Sequence, residues 1–259
     1  SDFREDSMRQ LAHSFTDEAF DKFPRKIIEN LLVATMTEYE KGIRALAAFP
    51  QLDISWPLSR VMGEADLRHL HIAETQKYAH VTYFFNGGKE KPFPGEERIL
   101  IPSLTTAHFD EAPEMRAKEI TAKILENLET QDVIIANFAN ADMVGHSGNY
   151  QAAVRAVEIL DESLGRLADA VLENNGVMIV TGDHGNIELK RDMLTGEKRT
   201  EHSLNPVPFY LVGKVWRRKA PRTEQEIIAQ KSEVGGILTD VAPTLLELLQ
   251  LKKTAEMTG

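Results

Sequence analysis

Val177-Met178-Ile179-Val180-Thr181-Gly182-Asp183-His184-Gly185-Asn186 decides the fold class. Its first half is a short, continuous apolar run rich in β-branched residues, which reads as a strand buried on both faces. Its second half is a glycine-flanked acid and imidazole, which reads as a tight turn at the strand's end. Two neighbours repeat the apolar run: Asp132-Val133-Ile134-Ile135-Ala136-Asn137-Phe138 and Val207-Pro208-Phe209-Tyr210-Leu211-Val212. Helical spacing lies between them. Arg116 to Glu129 is amphipathic. Asn149 or Tyr150 through Asn174 carries Ala153, Val157, Leu160, Leu164, Leu167 and Val171 at three- and four-residue steps, with Asn174-Asn175-Gly176 as its stop. Thr239-Asp240 caps a last helix with Pro243 in its first turn. Strands alternating with helices predict an α/β fold, a three-layer α/β/α sandwich with a mostly parallel sheet.

Upstream, residues 4 to 32 read as mostly helical around Phe15, Phe20 and Phe23, and Leu31 to Thr37 as a short buried strand. Pro50 and Pro57 mark residues 48 to 57 as a connection, so the chain is expected to divide into residues 1–48 and 49–259. Val61, Ala65, Leu67, Leu70 and Ala73 predict a helix over Val61–Glu74. Val81-Thr82-Tyr83-Phe84-Phe85 before Asn86-Gly87-Gly88 predicts a strand and turn, and residues 86 to 98 a loop.

The 259 residues are 42% hydrophobic and carry a formal net charge of -10. That composition is globular, and its acidity argues against nucleic acid and against an anionic membrane surface as partners. An anionic small substrate stays compatible, because a metal ion can supply positive charge. With no cysteine, disulfides, thiolate metal sites and a cysteine nucleophile are excluded. No apolar run approaches the ~18 residues of a membrane span, and Ser1-Asp2-Phe3-Arg4-Glu5-Asp6 does not resemble a signal peptide, so a cytoplasmic location is expected. The start without methionine is read as the edge of a longer chain. The basic cluster Lys214–Lys219 reads as a solvated loop.

In such folds ligands sit beyond the C-terminal ends of the strands. Three polar segments fall there: Ala141-Asp142-Met143-Val144-Gly145-His146, Gly182-Asp183-His184-Gly185-Asn186 and Glu201-His202-Ser203. Asp142 and His146 are four apart and would share one side of a helical turn. Asp183 and His184 can both enter one cavity from a glycine-flanked turn. Carboxylate oxygen with neutral imidazole nitrogen suits Mn, Zn, Co or Fe, and these five residues suffice for two ions of the kind used in phosphoryl chemistry. A lone histidine is more often a packed side chain than a ligand. Accordingly His13, His69, His71, His80 and His108, which lack such partners, read as structural.

The segments Asn140–Gly148, Gly182–Asn186 and His202-Ser203-Leu204-Asn205-Pro206-Val207-Pro208-Phe209 strongly resemble the cofactor-independent phosphoglycerate mutase family of the alkaline phosphatase superfamily. Ala73–Thr82, Phe84–Gly88, Gly95–Arg98 and Asp240–Thr244 look like the same family, in order along nearly the whole chain. The resemblance implies an alkaline-phosphatase-like fold and interconversion of 3-phosphoglycerate and 2-phosphoglycerate, through a phosphoserine at two divalent ions. It implies Asp142, His146 and His202 as ligands of one Mn-type ion and Asp183 and His184 as part of the second site. Lys77 resembles a lysine contacting the phosphoryl group. Arg4 resembles the first of two substrate-binding arginines; the second falls on Ser7, a departure, and Arg9 is out of register. By the same resemblance residues 1–48 are the end of an inserted transferase domain, and 49–259 are the second stretch of the phosphatase-like domain. The nucleophilic serine and a further aspartate ligand then belong to a missing N-terminal half, and this chain alone is expected to lack full activity. The rival readings are another phosphatase or phosphomutase of the superfamily and a non-catalytic interaction domain. The Lys77 segment and Asn205–Phe209 favour the mutase over the first, and the five metal-type residues argue against the second.

Overall fold

A computed structural model describes residues 5–40, 42–49, 53–106, 108–192, 194–231 and 233–259. Two compact units divide the chain, residues 1–53 and 54–259.

The first unit holds α1 (Glu5–Thr16), β1 (Ala34–Thr37) and β2 (Leu46–Phe49). The helix expected over residues 4–32 stops at Thr16. Asp17 then accepts from the Ala19 amide, an Asx-type turn, and Asn30 takes a left-handed φ of 56°, so the backbone leaves the helix. β1 and β2 pair in parallel, Ala34 opposite Leu46. The run read as a buried strand is not buried: Leu32 is 73% and Met36 66% exposed. Two short strands have too little surface to cover each other's side chains.

The second unit runs α2 (Leu58–Glu64), β3 (His69–Glu74), α3 (Tyr78–Val81), β4 (Glu96–Ile101), α4 (Ala117–Asn127), β5 (Val133–Asn137), α5 (Asn140–Gly145), α6 (Tyr150–Glu173), β6 (Met178–Thr181), β7 (Phe209–Val212), α7 (Glu224–Lys231) and α8 (Val241–Leu248). Three strands pair in parallel in the order β4-β3-β5, with His69 opposite both Glu96 and Val133. All six residues of central β3 are buried. β6 pairs with β7 antiparallel, so the sheet structure is mostly rather than wholly parallel.

The two-residue period of β5 assigns the layers. Val133 and Ile135 face a cluster with Leu58, Val61 and Met62 of α2 and Leu246 of α8. Ile134 faces the opposite cluster, where Ile120 and Ile124 of α4 and Leu167 of α6 meet Ile72, Ile99 and Met178. Helices therefore cover both faces.

Three expectations are corrected. The helix read over Val61–Glu74 is two elements: α2 ends at Glu64, Asp66 turns the chain at φ 56°, and β3 follows. The strand read over Val81–Phe85 is the end of α3 and a turn, in which the Phe84 amide donates to the Ala79 carbonyl at 2.9 Å. The loop read over 86–98 ends in β4, whose charged residues are neutralised locally: Arg98 Nε donates to Glu96 Oε1 at 2.6 Å and Asn86 Nδ2 to Glu96 Oε2 at 2.8 Å. Among the described residues no helix is long and apolar enough to cross a membrane.

Candidate metal centre

β3 and β5 pair in parallel, so their C-terminal ends lie on one side of the sheet, and the candidate side chains follow the ends of β3, β5 and β6. β3 leads to Lys77, β5 to α5, and β6 to Gly182-Asp183-His184. Fully buried Asn140 anchors the start of α5 by donating to the carbonyls of Pro113 (2.7 Å) and Glu114 (2.9 Å). One helical turn then brings Asp142 and His146 to the same side.

The loops bearing His184 and His202 are tied together. Gly185 and Ser203 form an antiparallel bridge, with the Ser203 amide donating to the Gly185 carbonyl at 2.8 Å. Glu188 accepts from the Asn186 amide (2.7 Å), Asn205 Nδ2 (2.9 Å) and Ser203 Oγ.

The side chains converge on Asp142 Oδ1. His202 Nε2 lies 3.1 Å from it, His146 Nε2 3.2 Å and His184 Nε2 4.0 Å. His202 Nε2 and His146 Nε2 are 3.2 Å apart. The rings of His184 and His202 stack with centroids 3.7 Å apart. Asp183 Oδ2 sits 3.5 Å from His184 Nε2 at the edge of the group. Lys77, nearly buried, approaches from the other side and donates to Asp142 Oδ2 at 2.5 Å. Asp142, His146, Asp183, His184, His202 and Lys77 are thus brought together. Arg4 lies outside the described residues, as does the Ser7 side chain.

Protonation states follow from the partners. His146 Nδ1 donates to the Thr200 carbonyl at 2.7 Å, which in the neutral ring places the lone pair on Nε2. Burial, together with His184 and His146, pushes His202 down, which keeps its imidazole neutral at neutral pH. Burial opposes ionisation of Asp142. Hydrogen bonds from Lys77 and Asn186 and the Lys77 charge outweigh it and hold the carboxyl well below the usual range. The 3.1 Å contact of His202 Nε2 with Asp142 Oδ1 is a hydrogen bond when that nitrogen carries the proton; with the proton on Nδ1, the same atoms offer a lone pair and a carboxylate oxygen to a cation. Asp142, His184 and His202 offer ligand atoms within 4.8 Å of one another, a set that could hold a divalent cation.

Sequence reading missed three contributors. Asn186 and Glu188 lie in or beside a quoted motif, yet only the fold shows what they touch. Lys190 has no motif signal at all. His80, read as structural, lies within electrostatic reach of Lys77, Asp183, Asp142 and His184.

Imidazoles and a carboxylate gathered beyond the strand ends of an α/β fold make a donor set of the metalloenzyme kind. The sequence profile of the Metalloenzyme superfamily matches residues 14–253, and the chain belongs to that superfamily. More particularly, it is similar to 2,3-bisphosphoglycerate-independent phosphoglycerate mutases. It is 47% identical to that of Pseudomonas aeruginosa over 264 aligned residues, and 44% identical to that of Francisella tularensis over 259; each alignment covers 99% of this chain and 48% of the relative. The crystal structure of Leishmania mexicana phosphoglycerate mutase at low cobalt concentration superposes with a TM-score of 0.72 at 32% identity, covering 96% of this chain and 47% of that one. The chain spans about half the length of these relatives, corresponding to their C-terminal half, and its fold is alkaline-phosphatase-like.

Proposed function

We propose that this chain is the metal-gripping half of a 2,3-bisphosphoglycerate-independent phosphoglycerate mutase. The reaction is interconversion of 3-phosphoglycerate and 2-phosphoglycerate through a phosphoserine carried by the N-terminal half. One observation carries the reading: Asp142, His146, His184 and His202 converge on one point at the strand ends. Asp142, His146 and His202 are assigned to one divalent ion, and Asp183 and His184 to a second. Manganese is the first choice, and the same donors accept zinc or cobalt. Such ions, when bound, lower the pKa of a hydroxyl nucleophile and spread the charge of a transferring phosphoryl group.

The chain's own residues set up the rest. The Thr200 carbonyl fixes the His146 ring so that Nε2 faces inward. Neutral His202 offers a lone pair without first losing a proton. Lys77, a nearly buried cation beside Asp142, is assigned to the phosphoryl oxygens, where a preorganised charge counts most. Arg4 is assigned to the substrate. Residues 1–48 are the end of an inserted transferase domain and 49–259 the second stretch of a phosphatase-like domain in a cytoplasmic glycolytic enzyme. The N-terminal half contributes the nucleophilic serine and a further aspartate ligand.

Manganese uptake and a coupled mutase assay test this together. The chain alone is expected to bind manganese and show no turnover. Adding the N-terminal half is expected to restore turnover, and His202→Ala to abolish the restored activity. Robust turnover by the chain alone, or no metal uptake, would overturn the proposal.

A further inference from the structure

We propose that Lys190 is a positioning residue for the Asp142 carboxylate, acting through the side-chain amide of Asn186; the inference rests on the metal-site reading above. Lys190 is 4% exposed, and its Nζ donates to Asn186 Oδ1 at 2.5 Å and to the Gly145 carbonyl at 2.9 Å. Both acceptors are neutral oxygens, an unusual setting for a buried ammonium. Burial accordingly pushes its pKa down.

The consequence is directional. An ammonium only donates, so Asn186 must turn Oδ1 toward Lys190. The amide nitrogen then points the other way, donating to Asp142 Oδ1 at 2.7 Å and to the Asp142 carbonyl at 3.2 Å. Without Lys190 the amide oxygen would lose its donor, and the Asn186 side chain would be held only at its nitrogen end. Lys77 holds Oδ2 from the opposite side, so the carboxylate is fixed at both oxygens and Oδ1 stays aimed at His146 and His202.

Two further contacts show how tightly this is built. A Cβ at Gly145 would lie 2.6 Å from Asn186 Oδ1, so α5 and the Asn186 turn meet at a distance only glycine permits. Gly145 is the last residue of α5, directly before His146, and its carbonyl also accepts from the Gly148 amide at 3.2 Å. Lys190 therefore secures the backbone from which His146 departs as well as the orientation of Asp142.

Charge and position predict opposite signs. As a mere nearby cation, Lys190 would repel a divalent ion, and Lys190→Met would tighten metal binding. As a positioning residue it must be present for tight binding. Manganese affinity, measured by titration calorimetry on the full chain, is expected to fall about tenfold in Lys190→Met, within the range for groups that orient metal ligands. Asn186→Ala is expected to lose at least as much. The double variant should bind no more weakly than Asn186→Ala, because one relay is broken either way. Lys190→Gln, which keeps a donor and drops the charge, should lose less than Lys190→Met and serves as the second variant if the first does not fold. A readout independent of metal is exchange of the Asn186 side-chain amide protons by NMR in the metal-free chain, expected to speed up at least tenfold in Lys190→Met. Unchanged or tighter binding, additive losses, or unaltered amide exchange would overturn the role of Lys190. If the parent chain takes up no manganese, the metal reading fails, and amide exchange still decides whether Lys190 orients Asn186.

Discussion

Among the described residues of 1–53, Ala12 and Ser14 are the buried ones, whereas Ile27, Leu32, Met36, Leu46 and Phe49 are 62–73% exposed. In residues 54–259 the same kinds of side chain fill three clusters, and Met62, Leu70, Ile72, Ile120 and Leu246 are fully buried. The two regions differ in layers. The second has helices on both faces of a parallel sheet, so every residue of its central strand β3 is buried. The first has, among its described residues, one helix and two four-residue strands, and apolar area left in water contributes nothing to stability. The metal-type residues lie on the region that holds itself together, as a site demanding fixed geometry requires.

The largest expected contrast is a pair of truncations. Ile72→Ala on β3 should destabilise residues 54–259 by about 2–5 kcal/mol, the cost of a cavity among Ile120, Ile124 and Leu167. Leu32→Ala should change stability by no more than about 0.5 kcal/mol, because its side chain already faces solvent. Urea unfolding of both variants checks this, and equal costs would show that residues 1–53 possess a core.

Acid should separate the regions next. His69 and His71 are fully buried side by side on β3. His71 Nδ1 donates to the Val81 carbonyl at 2.5 Å, and its Nε2 accepts from His69 Nδ1 at 2.9 Å. That arrangement uses one proton per ring; a further proton would complete the contact of His69 Nε2 with the Pro94 carbonyl at 3.2 Å, but burial opposes it. Burial pushes His71 down to about 4 and His69 in the same direction. A histidine whose folded pKa is depressed contributes stability that is fully present above its unfolded pKa of 6.5 and lost as pH falls toward the folded value. From pH 7 to 5 the loss through His71 should be about 2 kcal/mol. Urea midpoints at pH 7, 6 and 5 measure it, and His71→Gln should flatten the slope; an unchanged slope would show that the pair does not couple folding to protons.

These histidines also show what the sequence hides. β5, α6, β6 and α8 were legible because their apolar residues keep one period from end to end and stop at clear signals. β3 was not. His69, His71 and Glu74 interrupt its apolar run, and Leu67, Leu70 and Ala73 continue the helical spacing of α2 across the turn at Asp66. β4 was hidden by Glu96, Glu97 and Arg98: Glu97 is exposed, while Glu96 and Arg98 look exposed until their ion pair is seen. Val81–Phe85 has the composition of a strand, but the turn closed by the Ala79 carbonyl claims it. At the candidate centre the three histidine segments could be read from glycine and aspartate spacing. The hydrogen bonds that orient them could not, since Thr200, Asn186 and Lys190 reach their partners across 54, 44 and 45 residues.

The smallest contrast concerns backbone rather than side chains. Gly42 and Gly95 both adopt left-handed conformations, with φ of 94° and 75°. A Cβ at Gly42 meets nothing within 4 Å, so Gly42→Ala pays only the conformational strain, about 1–2 kcal/mol. At Gly95 the same Cβ would lie 2.2 Å from the Leu67 carbonyl oxygen, a contact with main chain that cannot swing aside. The Gly95 carbonyl also accepts from the His69 amide at 2.8 Å, the first rung joining β3 to β4. Relief of the clash therefore has to move the strand register, and Gly95→Ala should cost more than Gly42→Ala by at least about 1 kcal/mol. Thermal melts of the two variants decide it. Equal costs would mean that the β3–β4 junction yields as easily as the open turn at Gly42, and that the rigidity assigned to the larger region does not extend to its sheet edge.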